Sequence, residues 1–156
     1  MSELSQKKQT ISSGFTLIEL LVVIAIISIL SALLMANFIG VRQRGRDAQR
    51  KSDLRQIQAA LEYYRSDYGG YPVSIYTAGC FGAFTGANGT TYMGKVPCDP
   101  IDKTTQYAYS YNSSNNTYSL YACLENVNDI DKDAADGAAG DLCTSSGVVS
   151  FTVKTP

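Results

Sequence analysis

The chain has 156 residues, a formal net charge of −1 and no histidine. This length has room for about one domain with an appendage. Without histidine the chain lacks the commonest general base, which counts against most hydrolytic chemistries. The sequence also shows no nucleophile elbow and no cofactor-binding loop, so we expect no catalytic function.

Charge is distributed unevenly along the chain. Residues 66–156 carry nine acidic side chains and four lysines, whereas residues 41–55 carry six basic side chains and two acidic ones. A basic cluster beside a membrane span can bind lipid headgroups or nucleic acid. Because no aromatic side chain interleaves with these arginines to stack bases, we interpret them as a solvated or intersubunit face and infer no nucleic-acid partner.

An apolar run, Leu20–Ala36, contains two serines as its polar residues, and Phe15–Ile18 extends it on the N-terminal side. The run is long enough to cross a bilayer, which takes about 20 helical residues. An ordinary signal peptide, with Lys7 and Lys8 as its basic region, is the alternative. Its apolar core is usually about 7 to 15 residues and ends at a small-residue cleavage site, so we favour a transmembrane helix.

Glu19 is the sole charged residue between Lys8 and Arg42. A carboxylate near one end of a membrane helix is costly, and such groups usually pair with a partner or mark a functional site. The alternative is an interfacial glutamate that reaches water at the helix end. Charge counting leaves the orientation open, because the basic residues beyond the apolar run outnumber the lysines before it.

Residues 14–21, G-F-T-L-I-E-L-L, resemble the class III signal motif of type IV pilins and type II secretion pseudopilins. The resemblance implies a cytoplasmic N-terminus, cleavage after Gly14 by a prepilin peptidase, and methylation of the new N-terminus at Phe15. It also implies that Glu19 neutralises the N-terminal amine of a neighbouring subunit during assembly. The physical reason is that two opposite charges buried together cost far less than either charge alone.

The same resemblance implies three parts: a cleaved leader at 1–14, a transmembrane and filament-core helix at 15–39, and an amphipathic helix with an exported pilin domain at 40–156. The precursor would lie in the inner membrane. An assembly platform would then build it into a homo-oligomeric helical filament, either a cell-surface pilus or a periplasmic pseudopilus. The second hypothesis is a membrane-tethered, calcium-dependent binding module that never polymerises and does not need Glu19.

Beyond Gly40, apolar residues recur at spacings of three and four, which predicts one face of an amphipathic helix. These residues are Leu54, Ile57, Leu61, Tyr64 and Tyr68. The Gly69-Gly70 pair and Pro72 predict the end of that helix. Asp47 and Lys51, four residues apart with the acid first, predict an exposed ion pair.

The remaining chain predicts a small sheet. Residues 71–95 have the composition of a long surface loop. Two alternating runs, Tyr107–Tyr111 and Thr117–Cys123, predict an antiparallel hairpin, and Val148–Val153 predicts a third strand. We therefore expect an α+β fold: a long N-terminal helix with its hydrophobic half protruding and its C-terminal half packed on a three- or four-stranded antiparallel sheet.

All four cysteines lie in the predicted exported half, where an even number indicates two disulfides and allows three pairings. We favour Cys80 with Cys98 and Cys123 with Cys143, because each bond would close a loop that has little else to hold it. A zinc site is the competing interpretation. The absence of a C-x-x-C pair disfavours it.

Four aspartates lie between the last two cysteines: Asp129, Asp131, Asp133 and Asp136. This spacing can supply the oxygen ligands of calcium, and the resemblance to major pseudopilins, which carry calcium in their C-terminal loop, implies the same cofactor. The segment departs from an EF-hand, because Ala134 stands in place of the loop glycine and no glutamate occupies the twelfth position. The alternative is a solvated acidic loop that aids solubility.

Overall fold

A computed structural model describes residues 14–133, 143 and 148–156 of the chain. The chain divides into two compact units, one ending at Ile39 and the other formed by Gly40–Pro156. Within the described residues helix α1 comes first and five strands follow, which confirms the predicted α+β class. The bounds are α1 Leu17–Tyr68, β1 Phe84–Thr85, β2 Thr91–Met93, β3 Ala108–Asn112, β4 Thr117–Leu124 and β5 Val149–Lys154.

The first unit contains the apolar part of α1. Its Leu17–Met35 stretch is long and apolar enough to cross a membrane, and none of it is buried within the chain. The hydroxyl of Ser28 donates a hydrogen bond of 2.7 Å to the carbonyl oxygen of Ile24. That polar group is therefore satisfied by the helix backbone, as a hydrocarbon environment requires.

The second unit has its core between the C-terminal part of α1 and a sheet. Leu54, Ile57 and Leu61 are at most 2% exposed. Tyr64 packs against this core and stacks on Tyr68 at 4.4 Å between ring centroids. These contacts confirm the amphipathic face, because spacings of three and four place side chains on one side of a helix.

Helix α1 ends in a left-handed glycine. Gly69 has a φ of 73°, and its N–H donates to the carbonyl of Arg65 at 2.7 Å, which is the geometry that closes many helices. Asn116, in the turn between β3 and β4, then donates to the carbonyl of Gly69 at 3.2 Å and accepts from the N–H of Tyr71 at 3.3 Å. The helix end is thus tied to the hairpin.

The main sheet has the antiparallel order β3-β4-β5. Its central strand β4 buries every second residue, and these residues complete the core against α1. They are Tyr118, Leu120, Ala122 and Leu124. The predicted hairpin and the predicted third strand are confirmed, with bounds that differ by one residue at several ends.

The segment predicted as a surface loop contains further structure. Strands β1 and β2 form a separate two-stranded antiparallel sheet. Phe84 in β1 is 3% exposed and lies 5.4 Å from the ring of Tyr64 and 5.7 Å from that of Tyr92. The loop prediction was wrong here, because aromatic burial against α1 outweighs a composition rich in glycine and threonine.

Two disulfides crosslink the second unit. They join Cys80 to Cys98 and Cys123 to Cys143, with Cα–Cα separations of 5.7 and 5.6 Å. These are the pairs favoured from the sequence, and they use all four cysteines. The first bond anchors the segment between α1 and the main sheet, while the second spans the acidic region after β4.

A buried charge cluster joins α1 to two loops, and we call it the Arg50 cluster. The guanidinium of Arg50 contacts carboxylate oxygens of Asp47 at 2.8 Å, Asp99 at 2.7 Å and Glu125 at 2.8 Å. Asp47 is 1% exposed and also accepts the N–H groups of Glu125 and Asn126. The predicted exposed pair of Asp47 with Lys51 is therefore wrong, because Asp47 faces inward.

Arg46 completes the Arg50 cluster from the solvent side. Its Nε donates to Oε1 of Glu125 at 2.7 Å. The hydrogen bond from Arg46, assisted by Arg50, lowers the pKa of Glu125 from 4.5 to about 2. Several of the predicted solvated basic residues thus form internal ion pairs within the described part of the chain.

Candidate functional site

The predicted processing junction lies immediately before the first turn of α1. Gly14 and Phe15 precede the helix, and Phe15 is 83% exposed. A Cβ placed on Gly14 would meet no described atom within 4 Å. Packing therefore does not require glycine at this position, and its role as the cleavage residue stays a prediction.

Thr16 and Glu19 form a reciprocal cap on the first turn of α1. The N–H of Thr16 donates to Oε2 of Glu19 at 2.9 Å, and its hydroxyl donates to the same oxygen at 2.8 Å. The N–H of Glu19 donates in return to Oγ1 of Thr16 at 3.3 Å. This arrangement is a capping box, which satisfies backbone donors that a helix start leaves free.

The cap places the carboxylate at the positive end of the helix dipole, where a negative charge is favoured. It engages Oε2, while Oε1 of Glu19 makes no hydrogen bond with the residues that the structure describes. Phe15, Ile18, Val22 and Val23 line a shallow apolar groove together with Glu19. A cation approaching along this groove would meet one open carboxylate oxygen in apolar surroundings.

Thr16 was not among the site residues predicted from the sequence. The signal was present, since a threonine followed three residues later by a glutamate and an apolar run is typical of a helix N-terminus. The cap gives Glu19 a partner within its own chain, so the cost of carrying a carboxylate at the end of an apolar helix is reduced.

The three predicted calcium ligands that the structure describes contact two different protein groups. Asp129 and Asp131 both contact Nζ of Lys51, at 2.6 and 2.8 Å, and Asp133 accepts the hydroxyl of Thr152 at 2.6 Å. Within the described residues, no group of three or more metal-binding side chains converges. Asp136 lies outside those residues, and the calcium site stays a prediction.

The N-terminal segment matches a known family motif. The family model of the prokaryotic N-terminal methylation motif matches residues 11–35. This match contains the predicted cleavage junction, the Thr16–Glu19 cap and nearly all of the apolar stretch. No solved structure gives a significant match to the chain.

Several curated relatives share part of the chain. Type II secretion system core protein G of Aeromonas hydrophila is 37% identical over 62 residues, which is 40% of this chain and 43% of that protein. The type IV wide pilus major component PilA4 of Thermus thermophilus is 43% identical over 60 residues, 38% of this chain and 46% of that protein. The type IV major pilin protein PilA of Myxococcus xanthus is 41% identical over 54 residues, 35% and 24% of the two chains.

The chain thus spans less than half the length of each of these three relatives. The relatives carry pilin and type II secretion names, and the matched motif begins before Gly14 and includes Glu19. The chain thus carries the prokaryotic N-terminal methylation motif at residues 11–35, and over part of its length it is similar to type IV pilins and to a type II secretion core protein.

Proposed function

We propose that the chain is a structural subunit of a type IV pilus or a type II secretion pseudopilus, processed after Gly14 and polymerised through its apolar helix. The observation that carries the proposal is the Leu17–Met35 stretch, which is apolar and entirely unburied within the chain. An apolar surface of this length needs lipid or other apolar surfaces to cover it. A membrane covers it in the precursor, and neighbouring subunits cover it in the filament.

Cleavage after Gly14 creates the second charge that assembly needs. A new α-amine forms on Phe15, and an α-amine is protonated at neutral pH in a large fraction of molecules. Methylation keeps that charge. The amine of one subunit then pairs with the Glu19 carboxylate of another, at the oxygen that the Thr16 cap leaves open.

The partners of the precursor follow from this sequence of steps. A prepilin peptidase removes residues 1–14. Neither packing nor a left-handed backbone demands glycine at position 14, which leaves recognition by the peptidase as the proposed reason for it. An assembly platform in the inner membrane then extracts the processed chain into a homo-oligomeric filament. The filament ends at the cell surface if it is a pilus and in the periplasm if it is a pseudopilus.

The Glu19→Gln variant tests the assembly step with little disturbance of the helix start. Glutamine also completes a capping box, so the variant removes the charge and keeps the cap. An amine buried without its partner costs about 3 kcal/mol or more, which corresponds to a loss of about 100-fold in the affinity for adding a subunit.

The measurement compares sheared or pelleted filaments with the membrane pool, together with the N-terminal residue of each. We expect the Glu19→Gln chain to be processed and retained in the membrane. The Ser28→Ala variant is the matched control, since it removes the polar group of Ser28, which already bonds to its own backbone, and it should assemble like the parent. Normal filament yield from Glu19→Gln would refute the pairing of Glu19 with the amine, whereas a parent chain that forms no filaments would refute the proposed function itself.

A further inference from the structure

Lys51 contacts two aspartates of the acidic segment that follows β4, and the structure describes this segment up to residue 133. Its Nζ is 2.6 Å from Oδ1 of Asp129 and 2.8 Å from Oδ2 of Asp131, although these residues are 78 and 80 positions away. The side chains of Lys51 and Asp129 are 14% and 13% exposed. The ammonium also lies 5.9 Å from the ring centroid of Phe151 in β5, a distance at which a cation is attracted to an aromatic face.

Backbone and hydroxyl contacts hold the same segment on β5. The N–H of Asp133 donates to the carbonyl of Ser150 at 2.9 Å, and the hydroxyl of Thr152 donates to Asp133 at 2.6 Å. The N–H of Asp131 donates to Oδ1 of Asp129 at 2.9 Å. The described aspartates are therefore oriented towards protein donors, with one ammonium shared by two of them.

We propose that the ammonium of Lys51 is the resident cation of this acidic segment and takes the place of a calcium ion. Calcium needs six to eight oxygen ligands at about 2.3 to 2.6 Å. An ammonium supplies no ligand oxygen, and at 2.6 and 2.8 Å it already occupies the oxygens that calcium would use. The two cations would also repel each other, so they compete for one site.

This assignment makes Asp129 and Asp131 depend on α1 for their countercharge, since the ammonium of Lys132, within the segment, donates to the carbonyl oxygen of Val127 instead. The cation is carried one helical turn after Asp47, inside the same part of α1 that bears the Arg50 cluster. The exported unit then keeps its acidic segment in place whatever the concentration of free divalent cations around it. Lys51 and its partners all lie in the second unit, so this assignment is independent of filament assembly.

The first test uses the unaltered full chain in detergent. All eleven tyrosines lie between Tyr63 and Tyr121, so near-UV circular dichroism reports the unfolding of the second unit. We expect the melting temperature to be the same in about 5 mM calcium and in excess chelator. This calcium concentration is above the dissociation constants of weak extracellular calcium sites. A melting temperature that rises in calcium and falls in chelator would overturn the assignment.

The second test replaces the cation. Lys51→Gln should lower the melting temperature by several degrees, and calcium should then restore part of the loss because two carboxylates become free. Lys51→Arg keeps the positive charge, so its melting temperature should not change with calcium. Arg55→Gln is the matched control, because Arg55 is an exposed basic residue one turn further along α1. Its loss should change neither the melting temperature nor the effect of calcium on it.

Two outcomes of this second test contradict the assignment. A Lys51→Gln chain that melts like the parent would show that the ammonium does not hold the segment. A destabilised Lys51→Gln chain that calcium fails to restore would show that the two cations do not share a site.

Discussion

Replacing Arg50 by glutamine tests whether the Arg50 cluster holds α1 to the rest of the second unit. The side chain of Arg50 is 4% exposed and that of Asp47 is 1% exposed, whereas Asp99 and Glu125 are each 19% exposed. The variant leaves three carboxylates close together without their shared cation. Asp47 keeps two backbone donors, and the other two carboxylates reach water.

Breaking a buried ion pair by removing one partner costs about 3 to 5 kcal/mol. We expect the lower end, about 3 kcal/mol, because two of the stranded carboxylates retain solvent contact. For a unit of this size that loss lowers the melting temperature by about 10 °C or slightly more. Near-UV circular dichroism of the tyrosines, followed against temperature, measures the shift.

Arg46→Gln serves as the comparison within the same cluster. Its side chain is 31% exposed and bonds to Glu125 alone among the carboxylates of the cluster, so we expect a loss of about 1 kcal/mol. If Arg50→Gln melts within about 2 °C of the parent chain, the buried cluster does not contribute as its geometry indicates, and the reasoning from burial and pairing is refuted.

Two further predictions concern acid and the disulfide between Cys80 and Cys98. The pKa of Glu125 is lowered to about 2 in the folded chain; its stabilising contribution is complete above its ordinary pKa of 4.5 and is lost as pH falls from there towards 2. Melting curves across this range should show that loss, and Arg46→Gln should reduce it. Cys80 and Cys98 are 18 residues apart, so replacing both by serine should cost about 3 kcal/mol, measured by denaturant unfolding; an unchanged midpoint would contradict this.

Local periodicity carried most of the fold prediction. Leu54, Ile57 and Leu61 recur at helical spacing, and their burial at 0 to 2% exposure follows directly from that pattern. The alternation along β4 was equally visible, because every second residue of a half-buried strand faces the core. Such patterns depend only on residues that are close together in the sequence, so they can be recognised without the structure.

The electrostatic contacts could not be predicted in the same way. Arg50 meets Asp99 and Glu125 across 49 and 75 residues, and Lys51 meets Asp129 across 78. A nearby acid, Asp47, offered a local partner for Lys51 that the fold does not use. Long-range pairing depends on how the loops after α1 and β4 return to the helix, and that information is absent from local spacing.

The N-terminal site shows the intermediate case. The sequence identified Glu19 by its charge in an apolar run, but the contact with Thr16 came from the structure, although the spacing that predicts a capping box was present. The cap and the proposed assembly role are compatible, since the cap uses one carboxylate oxygen of Glu19 and leaves the other for the proposed pairing.

The most direct measurement is the N-terminal sequence and intact mass of the protein recovered from the cell envelope. The account predicts a chain that begins at Phe15 with a methylated amine, lacking residues 1–14. In the proposed assembly, that amine pairs with Glu19 of the neighbouring subunit. A mature chain that still begins at Met1 would have no amine at Phe15, and its recovery in assembled filaments would contradict the account.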